Sequence, residues 1–231
     1  MTLSPLTSPL PDRRRRVVLG MALLAASGWQ WCTAQVWDEQ QMRSSMAARF
    51  GAPGERRLQA WIDMLRTQGS ASVSDKLSAV NDFWNQQVVA SLDSRIWKEE
   101  DYWATPIETL GKGAGDCEDF VIGKYFSLTQ LGLPAQQLRL IYVRARMGGL
   151  NSTQSIAHMV LGFYETPQSE PLVLDNLVPS IRKASQRTDL TPVFSFNAQG
   201  VFVDGARSAP VERINRWQSL LARMQKEGFA L

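Results

Sequence analysis

The chain holds two cysteines and one histidine, which confines thiol or imidazole chemistry to three positions. Cys117 lies in Asp116-Cys117-Glu118-Asp119, directly after Gly111-Lys112-Gly113-Ala114-Gly115. Phe120, Val121, Tyr125, Leu128 and Leu131 follow at helical spacing, up to Gly132 and Pro134. The pattern predicts a sulfur at or near the first turn of a helix, where unpaired N–H groups and the positive dipole end favour a thiolate. A thiolate nucleophile needs a base, and His158 is the one imidazole available. It opens an alternating run in which His158, Val160 and Gly162 share one side, and Met159, Leu161 and Phe163 the other. Asp175 ends the apolar run Leu172-Val173-Leu174, where a lone charge calls for a partner. On a strand beside His158 it would orient the ring. Nucleophile, base and orienter together make the chemistry of acyl transfer. Each also has a plainer reading: a small buried cysteine, a satisfied core histidine, and a turn residue before Asn176.

The acids around Cys117 pull the other way, because three carboxylates beside a thiol raise its pKa. Two accounts remain open. Asp116 is placed to cap the helix, with Glu118 and Asp119 complementing its dipole. Alternatively, a hard cation such as calcium neutralises the carboxylates, although the spacing is not that of an EF-hand loop. A Cys/His zinc site is excluded for want of ligands, as is a two-histidine zinc helix. The glycine-rich stretch does not cradle phosphate, since no Gly-Lys-Ser/Thr follows and the acids would repel it.

The elements that must position these residues fall into three segments. Residues 1–34 read as an export signal: Arg13 to Arg16, the apolar run Val17 to Ala26, and Cys32-Thr33-Ala34 at a cleavage site. The apolar run is short for a membrane span, and an uncleaved anchor is the alternative. The consecutive arginines permit twin-arginine export. Export predicts a periplasmic protein, and cleavage leaves Cys117 as the lone cysteine, unable to form an internal disulfide. That segment also holds four of the 25 Lys+Arg and one of the 22 Asp+Glu, leaving 21 of each beyond it. A balanced remainder offers nothing basic to nucleic acid, so none is expected as a partner. Residues 35–100 predict a helical lobe, with Leu58, Trp61, Ile62 and Leu65 in good helical register. Gly51 to Gly54 and Gly69-Ser70 separate its helices, and Ser74 is placed to cap the last. Residues 101–231 predict the core proper. It comprises the Cys117 helix, strands near 138–143, 158–164, 171–177, 193–196 and 201–203, and a closing helix bearing Val211, Ile214, Trp217, Leu220, Leu221 and Met224. Helices followed by a strand meander make the class α+β, with an antiparallel sheet.

The same residues carry a family resemblance. Trp103-Ala104-Thr105-Pro106, Gly115-Asp116-Cys117-Glu118-Asp119-Phe120, Leu138-Arg139-Leu140, His158-Met159-Val160-Leu161 and Leu174-Asp175-Asn176-Leu177 resemble the bacterial transglutaminase-like cysteine proteinases. The resemblance spans nearly all of residues 35–231. It implies a papain/transglutaminase-like fold, with Cys117 as nucleophile, His158 as acid and base, and Asp175 as orienter. It also implies calcium dependence, with Asp116, Glu118 and Asp119 on the family's acidic motif. The implied substrate is the N-terminal region of a large repeat adhesin, cut near a pair of alanines to promote biofilm dispersal. The implied inhibitor is the periplasmic domain of an inner-membrane cyclic-di-GMP receptor. Trp97 and Trp103 are candidate anchors for that contact. Tyr102, Trp103 and backbone groups are candidates for the second oxyanion donor. Two other classes share the motif: a transglutaminase-type acyl transferase, and a non-catalytic calcium-binding module with an inert Cys117.

Overall fold

Beyond Met1, the computed structural model describes residues 37–149, 152–203 and 206–230. The expected export signal lies outside them. Among the described residues, no helix is long and apolar enough to cross a membrane.

Gln35–Leu231 forms one compact unit. Asp38 caps α1 (Glu39–Gln68), its carboxylate accepting from the Gln41 N–H at 3.0 Å. Gly51 interrupts that helix at φ 62° and ψ −163°. Only glycine adopts this conformation freely, so the expected break survives as a kink rather than a loop. Met42, Met46, Leu58, Trp61, Ile62 and Leu65 bury one stripe of α1. Ser72, not the expected Ser74, caps α2 (Val73–Gln87) and accepts from Asp75 N–H at 3.2 Å. The helix starts earlier because Ser72 has the extended backbone that a cap requires.

The chain then makes a two-residue strand, β1 (Val89–Ala90), and one helical turn, α3 (Asp93–Ile96). Thr105 and Glu108 form a reciprocal capping box at the start of α4 (Pro106–Lys112). The glycine-rich stretch is therefore not one loop. Gly111 lies inside α4, Gly113 closes it at φ 64°, and Ala114–Gly115 is a second short strand, β2. β1 and β2 pair in parallel, Val89 with Ala114 and Ala90 with Gly115.

The Cys117 helix, α5 (Cys117–Gln130), ends ahead of Gly132 at φ 84°. After it come β3 (Leu138–Arg146), β4 (Ser155–Phe163), β5 (Leu172–Leu174), β6 (Arg182–Lys183), β7 (Leu190–Asn197), β8 (Gly200–Val203) and β9 (Ala206–Ala209). α6 (Asn215–Lys226) closes the unit. The seven strands form one antiparallel sheet in the order β6-β5-β4-β3-β7-β8-β9. Sequence periodicity missed β6 and β9, both short and largely exposed, with no alternation to display.

Met159, Leu161 and Phe163 face the helices, while Val160 joins Ile141, Val143 and Val173 in a smaller cluster on the reverse side. Residues from both predicted segments, 35–100 and 101–231, share the larger core. At its centre, the indole N–H groups of Trp61 and Trp84 both donate to Ser127 Oγ, at 2.8 and 2.9 Å. α1, α2 and α5 are thus tied through one hydroxyl.

Candidate active site

The sheet fixes where the imidazole stands. His158 pairs with Val143 in β3, and on the other flank β5 runs beside β4 only from Leu172 to Leu174. Asp175 is the first residue past that strand, two positions short of the expected end at Leu177. Its Oδ1 lies 2.7 Å from His158 Nε2 and accepts the Leu177 N–H at 3.0 Å. Its Oδ2 accepts from Arg187 Nη2 at 2.7 Å. Burial disfavours the Asp175 charge, but the bonds from His158, Leu177 and Arg187 outweigh it and hold the carboxyl at about 2. With Nε2 on Asp175, Nδ1 is the nitrogen left for a thiol.

Arg187 escaped sequence reasoning. It is 3% exposed and also donates to Asp189, at 3.0 Å from Nε and 2.8 Å from Nη2. Nor did periodicity point to the support from α2. There Asn85 Nδ2 donates to the Asp175 carbonyl at 2.9 Å, and Asn81 Nδ2 to the Pro179 carbonyl at 2.7 Å. Behind Asn81, Lys124 is fully buried, its Nζ donating to Asn81 Oδ1 at 2.9 Å. The segment after β5 is thereby held from both sides.

Cys117 opens α5, and α5 packs on β4. Cys117 and His158 line one cleft of about 640 Å³, together with Asp93, Asp116, Glu118 and Asn176. Cys117 Sγ stands 3.1 Å from Glu118 Oε2. Burial, then Glu118 and Asp116, push the thiol pKa up, and the Met159 backbone N–H works against them. These neighbours therefore favour the thiol form over the thiolate.

The acids are gathered more tightly than their spacing announced. Backbone bonds from Val89 N–H to Gly113 O and Ser91 N–H to Gly115 O bring the β1 segment alongside the turn that leads into Cys117. Asp93 arrives with it, and carboxylate oxygens of Asp93, Asp116 and Asp119 lie within 4.8 Å of one another. Asp116, Cys117 and Glu118 form an overlapping group. No motif spacing links Asp93 to Asp116; only the two-residue pairing does. Asp119 accepts the Ala104 N–H at 2.8 Å and the Asp116 N–H at 3.4 Å. Burial, reinforced by neighbouring carboxylates, raises Asp93 to about 6 and Asp116 to about 10, and lifts Asp119 well above its usual range. Asp93 Oδ1 and Asp116 Oδ1 are buried without a hydrogen-bond partner among the described residues. Among the described residues, no ion pair relieves any of these four acids. Oxygen donors, negative charge and unpartnered buried lone pairs fit a hard divalent cation. Capping alone leaves the two orphaned oxygens unexplained.

The two tryptophan candidates differ in burial. Trp103 is 3% exposed and stacks on Phe196, with ring centroids 5.7 Å apart. It is a core residue and not an exposed anchor. Trp97 is half-buried against Tyr102. Tyr102 Oη bonds Glu108 Oε1 at 3.1 Å, and Trp103 Nε1 donates to Asp101 at 3.2 Å. Neither side chain is left to serve an oxyanion.

Residues 59–193 match the family model described as bacterial transglutaminase-like cysteine proteinase. The chain belongs to that family. Among solved structures it is similar to Legionella pneumophila LapG, with a TM-score of 0.69 and 38% identity over 80% of this chain and 95% of that one. The calcium-bound form of that LapG gives 0.68 and 38%, over 80% and 98%. The EGTA-treated form gives 0.69 and 37%, over 80% and 96%. No curated protein matched. The α+β transglutaminase-like core expected of this cysteine proteinase is the fold observed.

Proposed function

We propose that this cysteine proteinase is a calcium-dependent endopeptidase that hydrolyses peptide bonds through Cys117, His158 and Asp175. One observation carries the reading: the only imidazole of the chain lines a cleft with Cys117 while its far nitrogen is fixed on a buried carboxylate at 2.7 Å. Cys117 Sγ attacks the scissile carbonyl carbon as its proton passes to His158. Backbone N–H groups at the start of α5 receive the oxyanion. The C–N bond then breaks, and His158 returns the proton to the leaving amine. A water molecule, deprotonated by His158, attacks the thioester, and the carboxylic acid departs as the thiol re-forms. Asp175 holds the ring and stabilises its charged form throughout.

Asp93, Asp116, Glu118 and Asp119 are the residues that would hold calcium, and the LapG comparison includes a calcium-bound form. When bound, the ion supplies positive charge beside a thiol whose acid neighbours otherwise keep it protonated. The substrate class we infer is the N-terminal region of a large repeat adhesin, cut near a dialanine and released to disperse biofilm. Export by the N-terminal signal would place the enzyme in the periplasm. There the receptor domain described above would sequester it.

The test is cleavage of a dialanine-containing adhesin fragment by the calcium-loaded chain. Cys117→Ala should lower turnover at least about 1,000-fold, with an unchanged circular-dichroism spectrum. Normal turnover by a folded Cys117→Ala protein overturns the assignment.

A further inference from the structure

A second cavity lies on the reverse face of the sheet. Its volume is about 360 Å³, at the small end of the range of small-molecule sites. Ile141, Val160 and Val173 give it an apolar floor, and half-exposed Val193 stands at its rim. Two arginines break the apolar lining. Arg139 is stacked between Tyr164 and Phe202, 4.7 and 4.1 Å from their ring centroids, and its buried Nε has no hydrogen-bond partner among the described residues. Among the described residues it meets no carboxylate. Arg187 is 97% buried; its Nε and Nη2 serve Asp189 and Asp175, while Nη1 has no acceptor among the described residues. An apolar floor, a guanidinium without a counter-charge and two unanswered donors ask for one kind of guest: an aliphatic tail ending in a carboxylate.

We propose that this pocket binds a free fatty acid of medium chain length, with its carboxylate on Arg139 and its tail over Ile141, Val160 and Val173. Occupancy reaches the catalytic cleft through Arg187, because the same guanidinium lines the pocket and grips Asp175 Oδ2, whose other oxygen holds His158. The binding half of the proposal is independent of the protease reading.

The test uses sodium octanoate, with 1-octanol as its uncharged counterpart, titrated calorimetrically into the purified calcium-loaded chain. The expected result is saturable one-to-one octanoate binding, with octanol at least about 10-fold weaker through loss of the charge-assisted bond. Arg139→Gln should weaken octanoate to a similar degree. Val193→Asp, at an exposed rim position that folding tolerates, should repel octanoate while sparing octanol. His158 is the only histidine, so its imidazole NMR signals are an unambiguous reporter, expected to move along the octanoate saturation curve. Absence of saturable binding, equal affinity for octanol, or undiminished octanoate binding by folded Val193→Asp overturns the site. Octanoate binding that leaves the His158 signals still overturns the coupling.

Discussion

Asp175 accepts three hydrogen bonds in a buried setting, and the acidity this confers has a cost elsewhere on the pH axis. Its carboxyl sits at about 2, below its usual value of 3.8. A folded pKa below the unfolded one means a stabilising contribution that is full above about 4 and lost as pH falls through about 2. The contribution is about 2 kcal/mol. Urea midpoints measured between pH 6 and pH 2 should therefore fall more steeply for the native chain than for Asp175→Asn. The variant should be the less stable at pH 6, where Arg187 has lost its buried counter-charge. Asp93 gives the opposite kind of prediction. Its orphaned oxygen and raised pKa make it costly without a cation and useful with one. Asp93→Asn should raise the melting temperature in chelator and weaken calcium binding at least about 10-fold, read from the calcium-induced melting shift. An identical calcium response in the variant would remove Asp93 from the ion site. Cys117, His158 and Asp175 were legible in the sequence because thiol and imidazole are so scarce that few pairings exist. Asp93 and Arg187 were not, since each is one of many like charges and is singled out only by tertiary contact.

At the scale of elements, Ser127 is where three helices meet. Its hydroxyl accepts from two buried indoles and donates to the Gly123 carbonyl at 2.7 Å. Ser127→Ala leaves two buried N–H groups unanswered, at about 1–3 kcal/mol each. A loss of about 3 kcal/mol in denaturant unfolding is expected, with calcium affinity unchanged because the acidic cluster lies at the opposite end of α5. Gly123 explains why the helices lie so close there. A Cβ on it would stand 2.5 Å from the Trp84 ring. The apolar stripes that define α1, α2 and α5 were readable as periodicity, and so were the long strands. The short pairing of β1 with β2 was not: two residues carry no period, yet that pairing delivers Asp93 to Asp116. Likewise, the glycine-rich stretch looked like a loop because glycine lowers helix propensity. The capping box and the contact of Gly111 with Phe50 override that preference.

Across the whole molecule, the first and last helices are joined through Glu108. Its carboxylate pairs with Arg49 of α1 at 2.7 Å and Arg223 of α6 at 2.5 Å, while Tyr102 bonds to Glu108 and Arg223. Arg49 also bridges to Glu227 past the end of α6. Both arginines are partly solvent-accessible, so the network is worth less than a fully buried one. Glu108→Gln should still cost about 2 kcal/mol in urea unfolding. A separate early loss of α6 in this variant would show that Glu108 unites it with α1, whereas a single transition at an unchanged midpoint would show that it does not. The sequence reads as a helical lobe over residues 35–100 and a core over 101–231. The larger apolar core draws on both segments, because α1 and α2 turn their apolar stripes to α4 and α5 as well as to each other.

The order in which the site's parts occur along the chain has a further consequence, for newly made protein. Thiol and acids are complete once α5 has been synthesised, but the imidazole, its carboxylate and the arginine behind that carboxylate come from β4, the end of β5 and the turn before β7. These join only through antiparallel pairing between distant segments, the slow part of folding. A nascent or clipped chain that lacks residues beyond β4 has a sulfur and an imidazole with nothing to orient it. The full grouping of thiol, imidazole and carboxylate is thus withheld from an unfinished chain until the sheet has closed.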